Sequence, residues 1–142
     1  MSHLRKTQRV LDLALAAGRR NAFRWSVDNF AGGGKRLSGM IEPGYHGRHR
    51  FAGVRVCDVV RQSNGELSTK RALYQLKKLA KLGVLNRERT VGGCDRYYFT
   101  PPIVAKWFDE ARAFYIAAGL SLTEIRHVEL PAIPDRPEVA HG

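Results

Sequence analysis

The stretch STKRALYQLKKLAKLGVLNRERTVGGCDRYYFT, residues 68–100, decides the fold. Ser68 is a residue type whose side chain accepts from the free N–H groups of a first helical turn, and strong helix formers follow it as far as Leu82. Gly83 then supplies the left-handed residue on which helices commonly stop. At about 100° per residue, Ala72, Leu73, Leu76, Leu79 and Ala80 fall within roughly one third of the circumference, the width of a core-facing stripe. Lys70, Arg71, Tyr74, Lys77, Lys78 and Lys81 turn the other way, with Gln75 at the border. Two strands are predicted next, over 84–89 and 96–100, joined by the Gly-rich loop Val91-Gly92-Gly93-Cys94-Asp95. Tyr97 and Phe99 share one strand face, which marks them as core.

Upstream, Val54, Val56, Val59 and Val60 supply the apolar side of a short strand and a short helix, and Ser63-Asn64-Gly65 reads as a helix stop and turn. The succession of Val54-Arg55-Val56-Cys57-Asp58-Val59-Val60, a turn, a cationic helix ending Leu79-Ala80-Lys81-Leu82-Gly83-Val84-Leu85, a charged strand and the aromatic strand Arg96-Tyr97-Tyr98-Phe99-Thr100 resembles the winged helix-turn-helix of bacterial and phage regulators such as the MarR and ArsR groups. The resemblance covers about residues 54–100. It implies that 68–82 is a recognition helix for the major groove and that 91–95 is the tip of a wing lying on the DNA backbone or in the minor groove. Ser68, Thr69, Lys70, Arg71, Tyr74 and Gln75 then stand at the end that meets bases, Lys77, Lys78 and Lys81 on phosphates, and Arg87, Arg89 and Arg96 along the wing. Cross-strand pairing with Glu88 or Asp95 is the competing use of those arginines.

Farther out, Leu4, Leu11, Ala14, Leu15 and Gly18 share a helical face, predicting a first helix over 4–18 that stops at Gly18. Phe23, Trp25 and Val27 alternate with Arg24 and Ser26, which suits a short strand or a helical turn ending at Phe30. In the family this first helix is followed closely by the rest of the motif, whereas here 19–53 intervenes. Either the fold carries an insertion or the motif begins on another helix. Residues 31–50, with six glycines and Lys35, Arg36, Arg48 and Arg50, predict a basic loop, either plainly mobile or an arm along the minor groove. Pro101 and Pro102 open a last helix, 102–118, whose apolar face of Ile103, Val104, Trp107, Phe108, Ala111, Phe114, Tyr115 and Ala118 ends at Gly119. That face either caps the core or forms a homodimer. The organisation expected is one mainly α domain with a small β-hairpin wing over 1–119, a short extension over 120–129 and a disordered tail over 130–142.

Charge narrows the partner. The chain of 142 residues carries 24 Lys and Arg against 13 Asp and Glu, a net charge of +11. Residues 1–100 hold 20 basic and 7 acidic side chains, whereas 101–142 hold 4 and 6, so the excess sits on the part expected to meet a polyanion. No apolar run approaches the length of a membrane span, and two cysteines, Cys57 and Cys94, are too few for a disulfide framework, which suits a cytoplasmic protein.

Other chemistry finds little footing. Gly32-Gly33-Gly34-Lys35 fails as a phosphate loop because Asn29 stands where the first glycine belongs and Arg36 where a Ser or Thr belongs. His46, His49, Cys57 and Cys94 contain four zinc-ligand types but no Cys-x-x-Cys pair. No paired carboxylates or nucleophile motif appear, so neither catalysis, metal nor cofactor is expected. The sequence thus points to a double-stranded-DNA-binding transcriptional regulator, a repressor of bacterial, phage or plasmid type. The alternatives are an accessory factor of replication, conjugation or recombination, or a winged helix that binds RNA or protein.

Overall fold

The computed structural model describes residues 2–30 and 51–118; the basic segment 31–50, the extension 120–129 and the tail 130–142 lie outside the described residues. The element order is α1 (Ser2–Phe30), α2 (Val56–Gln62), α3 (Thr69–Lys81), β1 (Asn86–Glu88), β2 (Arg96–Tyr98) and α4 (Pro101–Ala118). This is a mainly helical α+β arrangement with a small antiparallel hairpin, in a winged-helix-like layout.

α1 corrects one expectation and decides another. It does not stop at Gly18, and of the two readings of 23–27 the helical one ending at Phe30 holds and the strand does not, because a single helix runs through both. Its buried side is Val10, Leu11, Ala14, Leu15, Ala17, Ala22, Phe23 and Ser26, a spacing of three and four residues that continues past the glycine. Gly18 serves packing: a Cβ there would run into the Phe99 ring and lie 3.0 Å from the Ala52 carbonyl oxygen. Glycine inside a helix costs about 1 kcal/mol relative to alanine, and here close approach of the wing-side strand to α1 offsets it.

The middle of the chain follows local chemistry. Asp58, in the first turn of α2, accepts the Arg55 backbone N–H at 2.9 Å. The turn after α2 places Asn64 and Gly65 at φ of 56° and 81°, and Ser63 ties it by donating to the Val60 carbonyl (2.6 Å) and accepting from the Leu67 N–H (3.1 Å). Ser68 caps α3 by accepting the Arg71 N–H at 3.2 Å. Gly83, at φ 80°, turns the chain so that the Val84 N–H reaches back to the Leu79 carbonyl at 3.0 Å. The strands are shorter than the sequence predicts. They pair only Asn86 with Tyr98, Arg87 with Tyr97 and Glu88 with Arg96, because Val84 and Leu85 belong to the turn and Asp95 closes the loop by accepting from the Thr90 N–H. Val54 adds an isolated bridge on the far side of β2, exchanging hydrogen bonds of 3.0 and 2.9 Å with Tyr97.

α4 lies along α1, and Val104, Trp107, Phe108 and Ala111 are buried there. Edge-to-face ring contacts of Trp107 with Phe99 (5.0 Å), Phe108 with Trp25 (5.2 Å) and Phe114 with Phe23 (5.9 Å) fill the seam. The aromatic surface that suggested a dimer interface is therefore used within one chain at these positions, and the helix caps the core. Arg19, 3% exposed, is held across the same seam by a bidentate pair to Glu110 (3.0 and 2.6 Å) and sits 5.0 Å over the Phe23 ring. Among the described residues no helix is long and apolar enough to cross a membrane.

Candidate nucleic-acid interface

α3 is divided sharply between core and solvent. Ala72, Gln75, Leu76 and Leu79 are buried against α1 and α2, and Leu73 and Ala80 are partly so. Lys70, Tyr74, Lys77 and Lys81 recur every three or four residues and form one exposed stripe, about 16 Å long at 1.5 Å per residue. Arg71 and Lys78 flank this stripe on one side, and the Tyr74 ring, 66% exposed, stands in its middle. The helix contains five cations and no carboxylate, and among the described residues none of the five pairs with a carboxylate. Such a row repels itself and draws in an external anion.

The predicted site residues are not all brought together. Ser68 and Thr69 are exposed at the start of α3, but the Ser68 hydroxyl oxygen is already used as the cap. Gln75 must be removed from the base-reading set: it is 8% exposed, and its side-chain carbonyl accepts the Thr7 hydroxyl at 2.7 Å, a link between α3 and α1. Its position at the border of the cationic face put it within reach of either role, and burial against α1 decided the matter.

The wing also divides. Arg87 is fastened to Asp95 (Nε at 2.7 Å, Nη2 at 2.6 Å), so it shapes the loop. Hydrogen bonds from Arg87 and then from the Thr90 N–H hold the Asp95 carboxyl below the usual carboxylate range. Arg89 is exposed and, among the described residues, has no carboxylate partner; Val91 at the tip is fully exposed beside Gly92 at φ 74°. Arg96 leans to the other side of the sheet and lines a cleft against α1. Tyr97 and Phe99 are core residues, and burial pushes the Tyr97 phenol up from its ordinary value. Lys35, Arg36, Arg48 and Arg50 lie outside the described residues, as do His46 and His49.

One set of cations escaped the sequence reading. Arg20 and Arg24 are exposed on α1 beyond Gly18, and Arg55 and Arg61 flank and end α2. Arg20 and Arg61 line one concavity, while Arg24, Arg55 and Arg96 line its neighbour, with Asn21 and Asp58 common to both. The i, i+4 spacing of Arg20 and Arg24 was the available signal, and it is visible only when the helix is allowed to run through the glycine. Among the described residues no cluster of three or more His, Cys, Asp or Glu side chains could hold a metal ion. The chain matches no family model, no curated protein and no solved structure, so its functional reading stands on the geometry of this surface.

Proposed function

We propose that this chain is a double-stranded-DNA-binding transcriptional repressor that lays α3 in the major groove and sets its wing on the backbone or in the minor groove. The observation that carries the reading is the unpartnered stripe of Lys70, Lys77 and Lys81, flanked by Arg71 and Lys78, on the second helix of a helix-turn-helix. An α-helix with side chains fits the width of the major groove, where Thr69, Lys70, Arg71 and Tyr74 at its start meet base edges and the later lysines meet phosphates. Arg89 and the exposed tip at Val91 extend the contact from the wing. A protein so seated on an operator excludes polymerase. Homodimerisation through residues 102–118 would have to use side chains other than Val104, Trp107, Phe108 and Ala111, which the core consumes.

Selection from a randomised duplex pool at two salt concentrations tests this directly. A recovered motif is expected, with affinity falling on a log–log salt plot at a slope of about −4 to −5 if all five α3 cations meet phosphates, and less steeply as more of them read bases. Motif-free but salt-sensitive binding would replace the repressor with an accessory or architectural role. Absence of duplex binding at low salt would overturn the reading.

A further inference from the structure

A second anion-seeking site lies away from the cationic stripe of α3. The cleft between α1, residues 51–55 and β2 has a volume of about 300 Å³ and is lined by Arg24, Trp25, Phe51, Arg55, Asp58 and Arg96. That volume is at the lower end of small-ligand sites. Its three guanidinium groups come from three separate stretches of the chain, and among the described residues none pairs with a carboxylate. Asp58 is the acid at the cleft, and it is already engaged, accepting the Arg55 N–H and facing Arg61 at 3.7 Å. Three arginines against one carboxylate leave an excess of positive charge that favours an anion from outside, and the planar fork of arginine suits a phosphate.

The other wall is aromatic. Trp25 and Phe51 stack at 4.7 Å between centroids and 26° between planes, with Phe51 43% exposed. Trp25 also makes an edge-to-face contact with Phe108, which ties this wall to the core. Duplex DNA offers phosphates but keeps its base faces stacked inside, whereas a nucleotide outside a duplex presents both a phosphate and a bare π-face. We propose that this cleft binds a nucleoside phosphate, with the phosphate among Arg24, Arg55 and Arg96 and the base against the exposed part of Phe51. This goes beyond the duplex reading and does not depend on it, since no α3 side chain lines the cleft.

The test uses the full chain and the fluorescence of Trp25, against the steady background of buried Trp107. Thymidine monophosphate, a short oligothymidylate and inorganic phosphate are titrated separately. A saturable quench by one of the nucleotide probes is expected, with inorganic phosphate much weaker. Arg24→Ala and Phe51→Ala should each weaken it by about fivefold or more, and Phe51→Tyr, which keeps the ring, should restore most of the affinity. Quenching by the monophosphate at the oligomer's affinity assigns the site to free nucleotides; quenching by the oligomer alone assigns it to an unpaired stretch of a strand. The combined variant Lys77→Ala/Lys81→Ala should lower duplex binding and leave this quench in place, so the two sites fail separately. No saturable quench by either nucleotide, an equal affinity for inorganic phosphate, or a quench unchanged in both alanine variants would overturn the proposal.

Discussion

The seam between α1 and α4 and the outer face of α3 treat positive charge in opposite ways. In the seam, Arg19 is buried, held through Nε and Nη2 by the Glu110 carboxylate and laid over Phe23. On α3, five cations, four of them exposed and Lys78 half-buried, stand without one carboxylate among them. Where a charge serves the fold, the chain supplies its counter-ion and places it within hydrogen-bonding distance. Where no counter-ion is supplied, the charge is left to water, and the proposed use of such a row is an anion from outside. The difference separates cations bound into the fold from cations left unpaired, and the proposed function rests on the second kind.

The comparison breaks first at Glu110. Glu110→Ala takes the bidentate carboxylate away from buried Arg19, and the expected loss is about 3 kcal/mol of stability, read as a shift in the urea midpoint. A loss under about 1 kcal/mol would mean that Arg19 escapes to solvent and that the seam is no different from α3. The converse variant, Lys70→Ala/Lys77→Ala/Lys81→Ala, should leave the melting temperature almost unchanged. It should also weaken duplex binding about a hundredfold and, with Lys77 and Lys81 on phosphates and Lys70 at the base edges, flatten the salt slope by about two units. A large stability loss with DNA affinity intact would reverse the assignment of that face.

Gln75 tests the border between the two regions. Gln75→Ala removes the buried hydrogen bond between the Thr7 hydroxyl and Gln75, and a stability loss of about 1–2 kcal/mol is expected with no change in preference among DNA sequences. Altered sequence preference at unchanged stability would return Gln75 to the reading face. Tyr97, a core residue of β2, has a buried hydroxyl that finds no hydrogen-bond partner among the described residues. Tyr97→Phe should therefore be neutral or stabilising, by up to about 1 kcal/mol in thermal unfolding. A clear loss would reveal a partner for the hydroxyl.

What the sequence disclosed and what it hid divide along the same line. The turn at Ser63-Asn64-Gly65, the cap at Ser68, the stop at Gly83 and the Gly-rich wing tip are all local chemistry, readable within four or five residues, and each stands where the pattern placed it. Gly18 was misread because its partner, Phe99, is far along the chain, and only that packing tells a helix-packing glycine from a helix-ending one. Gln75 and Arg19 depend on Thr7 and Glu110, 68 and 91 positions away, so no periodicity could report their burial. The lysine stripe was legible because exposure needs no partner. The Arg24–Arg55–Arg96 cleft was not, since it exists only once α1, α2 and β2 meet.

The wing lies between the two regimes, and pH can move it from one to the other. Arg87 belongs with the paired cations as long as Asp95 is ionised, and Asp95 is kept ionised below its ordinary range mainly by Arg87 itself and by the Thr90 N–H. A carboxyl whose folded value is depressed contributes stability that is complete above the unfolded value and is lost as pH falls through the lower folded one. Acid should therefore open the wing tip before the core: in a titration from about pH 5 to pH 2, the Thr90 amide should lose its protection while the α1–α4 seam stays closed. Asp95→Asn should weaken this dependence and free Arg87 at neutral pH. If freed Arg87 then strengthens duplex binding, a cation's role is set by its partner and not by its position; if binding is unchanged, the wing's contact with DNA rests on Arg89 and the tip alone.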